Sequence, residues 1–291
     1  MPTRFNASAY KSQIKQQVNK AKRAISDYNR AVDSYNNKVK QAVNKYNQAV
    51  RQHNSNVLLN RSKIKTELRR LSASSSRNTT SYKTSVLTVN HSYENAVYGY
   101  DYLDNHTPFQ EYVYSGIEQE NANNLETANV VINNLQPETQ AYSLKDTKIM
   151  DRLSLISSDL DKRWKGALYA LNPANVEATR HFCTSTREIF TEIFENKAKD
   201  TDVFSIFPNC DKTNNGKATR KSKIRYFLHN KGIEDENIED FIEKDMQNIL
   251  ELYNVLNSGT HGEAGKYSFE KLAVIKKRVE DGLIFLCDIA S

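Results

Sequence analysis

No glycine precedes Gly99, and no proline lies between Pro2 and Pro108. Roughly ninety residues without either breaker favour one very long helix. The apolar spacing agrees. Ile14, Val18, Ala21, Ile25, Tyr28, Val32, Tyr35 and Val39 alternate steps of four and three, a heptad seam. A second run holds Val43, Tyr46, Val50, His53 and Val57, then Ile64, Leu68 and Leu71. Two successive steps of four, Tyr35 to Val39 to Val43, join the runs as a stutter that locally unwinds a left-handed supercoil.

A repeat underlies the seam: Tyr28-Asn29-x-x-Val32, Tyr35-Asn36-x-x-Val39, Tyr46-Asn47-x-x-Val50 and His53-Asn54-x-x-Val57. Its spacings of 7, 11 and 7 put the first and third units 18 residues apart, five helical turns, so their side chains return to one face. Rings with polar tips suit a partly wet interface. Residues 14–71 therefore read as a coiled-coil or hairpin surface joining copies of the chain, as a dimer or higher homo-oligomer. A nucleic-acid arm using the Lys and Arg opposite the seam is the second reading. A membrane-surface helix fits poorly, because the apolar face to Val57 lacks Leu, Phe and Trp.

Charge is unevenly spread. The 291 residues hold 41 Lys+Arg against 35 Asp+Glu, a net +6. Residues 1–83 carry 18 basic residues and the acids Asp27, Asp33 and Glu67, while 84–160 carry three basic and 11 acidic residues. Residues 161–291 are close to balance, with 20 basic and 21 acidic. One segment thus holds the basic excess, and its partners are the open question. Three cysteines without x₂ spacing exclude a disulfide scaffold or thiolate zinc ribbon. No apolar run reaches the ~18 residues needed to span a bilayer, and the start does not read as a signal peptide. The expected location is the cytoplasm, without membrane attachment.

The expected fold is mostly α, a long N-terminal coiled-coil arm followed by a C-terminal helical bundle. Residues 1–83 form the arm, 84–161 an acidic, Tyr-rich helical connector and 162–291 the bundle. Ser72–Tyr82 reads as a linker. The connector's Tyr93, Tyr98, Tyr100, Tyr102, Tyr112 and Tyr114 sit among acids that repel phosphate. Packing is the better use for them, with the acidic segment either folded back on the basic first helix, neutralising part of it, or facing a cationic partner. Asn121–Asn134 and Asp146–Leu171 read as helices, the second ended by Asn172-Pro173. Ala174–Asn196, Lys217–Lys231, Asn237–Leu256 and Ser268–Ile289 follow, with Ser268 as an N-cap.

Two clusters are suited to chemistry. In Asn257-Ser-Gly-Thr-His261-Gly262-Glu263 a histidine between glycines joins two helices, and imidazole exchanges protons near neutrality. In Thr184-Ser185-Thr186-Arg187-Glu188, Arg187 shares a face with Thr184 and Thr191, where it can meet His261 or a phosphate; by default Arg187 and Glu188 form a structural ion pair and His261 caps a helix. Lys217, Arg220, Lys221, Lys223 and Arg225 cluster at one helix start. GxxxxGK[ST], GxGxxG and HExxH are absent, so no nucleotide cofactor or metal is expected.

The sequence also resembles a known family. Arg163-Trp164-Lys165-Gly166-Ala167-Leu168, Ala170-Leu171-Asn172-Pro173, Ala178-x-Arg180-His181, Thr184-Ser185-x-Arg187-Glu188, Thr219-Arg220-x₄-Arg225 and Ser258-Gly259-Thr260-His261-Gly262 resemble the helical domain of predicted prokaryotic PIWI-associated nucleases. The likeness covers roughly residues 162–289 and implies a bacterial anti-phage defence effector. The Asn-x₃-His ending is similar, more loosely, to HEPN-type ribonucleases, although Asn257 stands where those carry Arg. That likeness implies a metal-independent RNase gated by a partner defence protein or a nucleic acid, with RNA more than DNA as substrate. His261 would be the general acid/base, Arg187 the phosphate clamp, Asn257 and Glu188 the orienting groups. Arg180 and Lys217–Arg225 would hold the nucleic-acid backbone. The rival reading is a non-catalytic oligomeric scaffold or adaptor binding a partner protein or nucleic acid, in which those residues are structural.

Overall fold

The computed structural model describes residues 7–72, 80–100, 107–135, 144, 147–172, 174–258 and 267–291, with the backbone alone at 99, 100, 257 and 258. Among these are ten helices and no strand, only an isolated antiparallel bridge between Lys212 and Ala218. No described helix is long and apolar enough to cross a membrane. Two compact units emerge, Met1–Leu58 and Leu59–Ser291.

The first unit is the bulk of α1 (Ala7–Ser72), unbroken as the missing Gly and Pro require. None of residues 7–52 is buried within this chain. Tyr28 is 70% exposed and Tyr35 and Tyr46 each 67%, so these seam rings have little cover among the described residues.

In the second unit the last turns of α1 behave differently, and Ile64 and Leu71 join the core. They lie along α3 (Pro108–Asn133), where Arg61 meets Glu118 at 2.9 Å and Lys63 meets Glu126 at 2.8 Å. Glu67 accepts from the Asn129 amide and from Arg70. Acids of the middle segment thus do neutralise basic residues of the first helix, within its Leu59–Ser72 portion. Thr107 and Gln110 form a capping box around Pro108, and α3 ends on Asn134 in the left-handed conformation.

The segment from 80 to 161 is part of the same core as the C-terminal residues. Tyr82, Val86 and Val89 of α2 (Thr80–Tyr100) are buried in the core they share with α9 (Glu236–Ser258). Helix α3 packs on α10 (Phe269–Ala290). The compact units part at Leu58/Leu59, with α2 and α3 in the same unit as the C-terminal helices. The physical reason is that α2 and α3 supply the apolar faces that α9 and α10 need.

The expected 146–171 helix is two, α4 (Met150–Ile156) and α5 (Ser158–Ala170). Ser157 is extended and its hydroxyl caps the Asp159 amide, a local bond that outcompetes continuation. Trp164 of α5 is fully buried, donates to Thr147 Oγ1 at 2.8 Å and packs on Phe182. Then come α6 (Ala178–Lys197), α7 (Asp200–Ile206) and α8 (Arg220–Asn230). Ser268 caps α10 as expected, accepting from the Lys271 amide.

Candidate functional site

Helix α6 turns Phe182, Ile189, Phe190 and Ile193 inward, which leaves Arg180, Thr184, Arg187 and Thr191 as an exposed polar stripe at helical spacing. The threonines bond back to the carbonyls of Arg180 and Arg187, so the stripe's free charges are its arginines. Arg180 is loosely tied to Glu177 at 3.4 Å. The Arg187 guanidinium lies 5.8 Å from the Tyr253 ring centroid on α9 and has no carboxylate partner among the described residues. Tyr253 is buried and its hydroxyl accepts from Thr186 at 2.7 Å, so the platform under Arg187 is rigid. Burial pushes the neighbouring Cys183 thiol up to about 12, and it is no nucleophile at neutral pH.

Arg187 and Glu188 do not pair with each other. The Glu188 carboxylate binds Arg163 of α5, which also holds Asp159 at 2.7 Å and Glu192 at 3.1 Å. Neighbours on a helix are turned ~100° apart, so one residue faces α9 and the other faces α5.

His261 and the Asn257 side chain lie outside the described residues. The chain on both sides of that segment is described. Tyr253 stands one turn before Asn257 on α9, and Ser268 fixes the start of α10. Tyr267, half-buried, has its phenol pushed up by burial and by Cys183 nearby. Both flanks of the 259–266 segment therefore sit beside the α6 turn that carries Cys183 and Arg187.

The basic cluster of α8 is elsewhere. Lys223 is buried, with its ammonium 3.3 Å from Glu195 and 3.4 Å from Asp200. It ties α8 to the end of α6 and is not presented to solvent. Lys217 shares Glu195 at 3.8 Å. Glu195 lies eight residues beyond Arg187, about 12 Å along the axis, so the structure does not gather this cluster round Arg187. Arg225 is exposed, 3.7 Å from Glu239 and stacked over Phe207. Arg220 and Lys221 are half-buried, and burial lowers the Arg220 pKa.

Sequence reasoning missed a buried polar cluster. Arg278 of α10 has no exposed side-chain surface; it meets Glu120 of α3 at 2.6 Å and also bonds Asp245 of α9. Burial pushes the Glu120 carboxyl up to about 8, against the opposing pull of the Arg278 charge. Gly282 lets α10 approach here, since an added Cβ would lie 2.7 Å from Ile249 and 3.5 Å from Glu120. The signal was in the sequence: Asp245 and Arg278 occupy positions of otherwise apolar stripes, Phe241-x₃-Asp245-x₃-Ile249 and Ile275-x₂-Arg278-x₃-Gly282. Folded Glu120 keeps a proton that the unfolded chain releases near pH 4.5. Stability should therefore fall as pH rises from about 4.5 towards 8 and level off above it. Urea unfolding across that range is expected to show the slope in the wild type and lose most of it in Glu120→Gln.

These features define a helical domain with an exposed arginine stripe on α6. Residues 153–286 match the model of the family described as predicted pPIWI-associating nuclease. Comparison with curated proteins and with solved structures gave no match.

Proposed function

We propose that the C-terminal part of this chain is a nuclease that cleaves RNA in anti-phage defence. The observation that carries this reading is the family match over residues 153–286, within which Arg187 stands over the buried Tyr253 ring with no carboxylate partner among the described residues. In this reading Arg187 holds the phosphate and stabilises charge developing on it. His261 takes the proton of the 2′-hydroxyl, whose oxygen attacks phosphorus as the P–O5′ bond breaks, and the leaving 5′-oxygen takes a proton from solvent water. Asn257 orients the imidazole. Arg180 continues the phosphate path along α6, while Lys217, Arg220, Lys221 and Arg225 form a second, more distant contact. Glu188 and Lys223 are left out, because Arg163 and the Glu195–Asp200 pair occupy them. The helix of residues 14–57 joins copies of the chain, and a partner protein or nucleic acid gates cleavage.

Incubating the full chain with RNA and DNA, beside Arg187→Ala and His261→Ala, tests this. Wild-type cleavage of RNA reduced at least a hundredfold in both variants, with unchanged thermal unfolding, is the expected result. Equal cleavage in all three removes the site. No cleavage by the wild type under any trigger removes the enzyme and favours the scaffold.

A further inference from the structure

A cleft of about 1150 Å³ opens between the end of α5, the turn into α6 and the start of α10. Its size suits a nucleotide better than a lone ion. Tyr169 lines it and is 91% exposed, an extreme value for a ring within a cleft. Phe269, the first residue of α10, is 44% exposed and lines it too, with Met150 and Leu168 as apolar floor. The charge of the lining is one-sided. Residues 161–291 hold slightly more acids than bases, yet among the described residues that line the cleft none is Asp or Glu, while Lys165 and His181 are present. Lys165 is tethered to Asp161 at 2.7 Å, and the exposed His181 ring makes no hydrogen bond among the described residues.

Several residues of the sequence likeness converge here: Lys165, Leu168, Ala170, Leu171, Asn172 and His181 all line the cleft. It opens at the N-terminal end of α6, and the arginine stripe starts beside it at Arg180, the neighbour of His181. Phe269 follows the Ser268 cap at the exit of the His261 segment. Exposed rings above an apolar floor recognise the π-face of a base, and a cationic rim recognises its phosphate.

We propose that this cleft is a base-binding subsite, which takes an unpaired nucleobase of a single-stranded nucleic acid on Tyr169 and Phe269 and directs its phosphate to His181 and the arginine stripe. The proposal rests on the nucleic-acid reading of the domain and deepens it. A single strand is the fitting occupant because stacked, paired bases cannot offer a face to Tyr169. The cleft thereby selects strand state ahead of sequence.

Binding of labelled oligouridylate and oligodeoxythymidylate to the full chain, followed by fluorescence anisotropy, tests the subsite without requiring cleavage. Moderate and high salt separate stacking from the salt-sensitive contribution of the basic helix. Tyr169→Ala and Phe269→Ala should each weaken binding roughly tenfold at both salts, and Tyr169→Phe should restore it. Tyr169 buries too little for its loss to affect folding, and a thermal melt verifies that. A preference for oligouridylate marks the ribose as read; equal binding leaves the base alone as the determinant, and either result supports the subsite. Wild-type affinity in both alanine variants overturns it, as does displacement of the oligonucleotide by an acidic peptide but not by a mononucleotide. Failure of the nuclease reading would show separately, as intact binding without cleavage.

Discussion

Arg278→Ala should destabilise the Leu59–Ser291 unit by about 3–5 kcal/mol and lower its melting temperature by on the order of 10 °C. The expectation follows from what the variant leaves behind. Arg278 bridges Glu120 and Asp245 with no side-chain surface open to water. Glu120 already holds its proton near neutrality, so its loss of a partner is the smaller cost. Asp245 would remain buried with its Arg278 partner gone, which is the costly case. The cavity left by the arginine stem adds to it. Replacing all three groups at once, with Arg278→Met, Glu120→Gln and Asp245→Asn, should recover most of the loss, because no uncompensated charge remains. Thermal and urea unfolding of the full chain measure both variants. A loss below about 1 kcal/mol in Arg278→Ala would mean the cluster is hydrated in solution.

The same cluster marks where sequence reading reaches its limit. Helix content was legible, because missing breakers and apolar spacing are local properties, and α1, α6, α9 and α10 follow from them. The Ser157 break was less so: Ser157-Ser158 offers a cap whose local bond competes with the helix, and periodicity does not register that. Unit boundaries depend on which faces meet across long separations. The acidic connector looked distinct by composition, yet Val86, Val89 and Ile117 bury against C-terminal helices. Pairing partners are equally non-local. Nothing in Thr186-Arg187-Glu188 says that α5 will offer Arg163 to the glutamate while α9 offers a tyrosine ring to the arginine. Lys223 looked like part of a phosphate-binding patch because adjacent charges share a sequence, though they do not share a helix face.

Val32→Glu combined with Val50→Glu should convert an oligomer of the full chain into a monomer without loss of the Leu59–Ser291 fold. Between residues 24 and 57 the seam carries Ala24, Ala31, Ala42 and Ala49 before Ile25, Val32, Val43 and Val50. On its other side Asn29, Asn36, Asn47 and Asn54 follow Tyr28, Tyr35, Tyr46 and His53. The face is thus four positions wide and almost free of charge; Lys38 and Lys40 at the stutter are the charges that flank it. Arg30, Lys45, Arg51, Asp27 and Asp33 point elsewhere. On the proposed reading, a strongly basic helix that clears charge from one face takes a second copy of that face, where Tyr hydroxyls and Asn amides would satisfy each other. Eighteen residues in five turns give 3.6 per turn, so the left-handed drift of the 7-residue spacings is offset by the 11. The helices should therefore associate straight, and a face this wide suits more than two of them. Mass in solution measures the outcome. Two glutamates per chain on that face would be buried without partners on association, a cost of several kcal/mol per ion that the interface does not offset. An unchanged mass in the double variant, or a monomeric wild type, would place the basic helix with a different partner, and the polyanion suited to its remaining faces would then be the one to test.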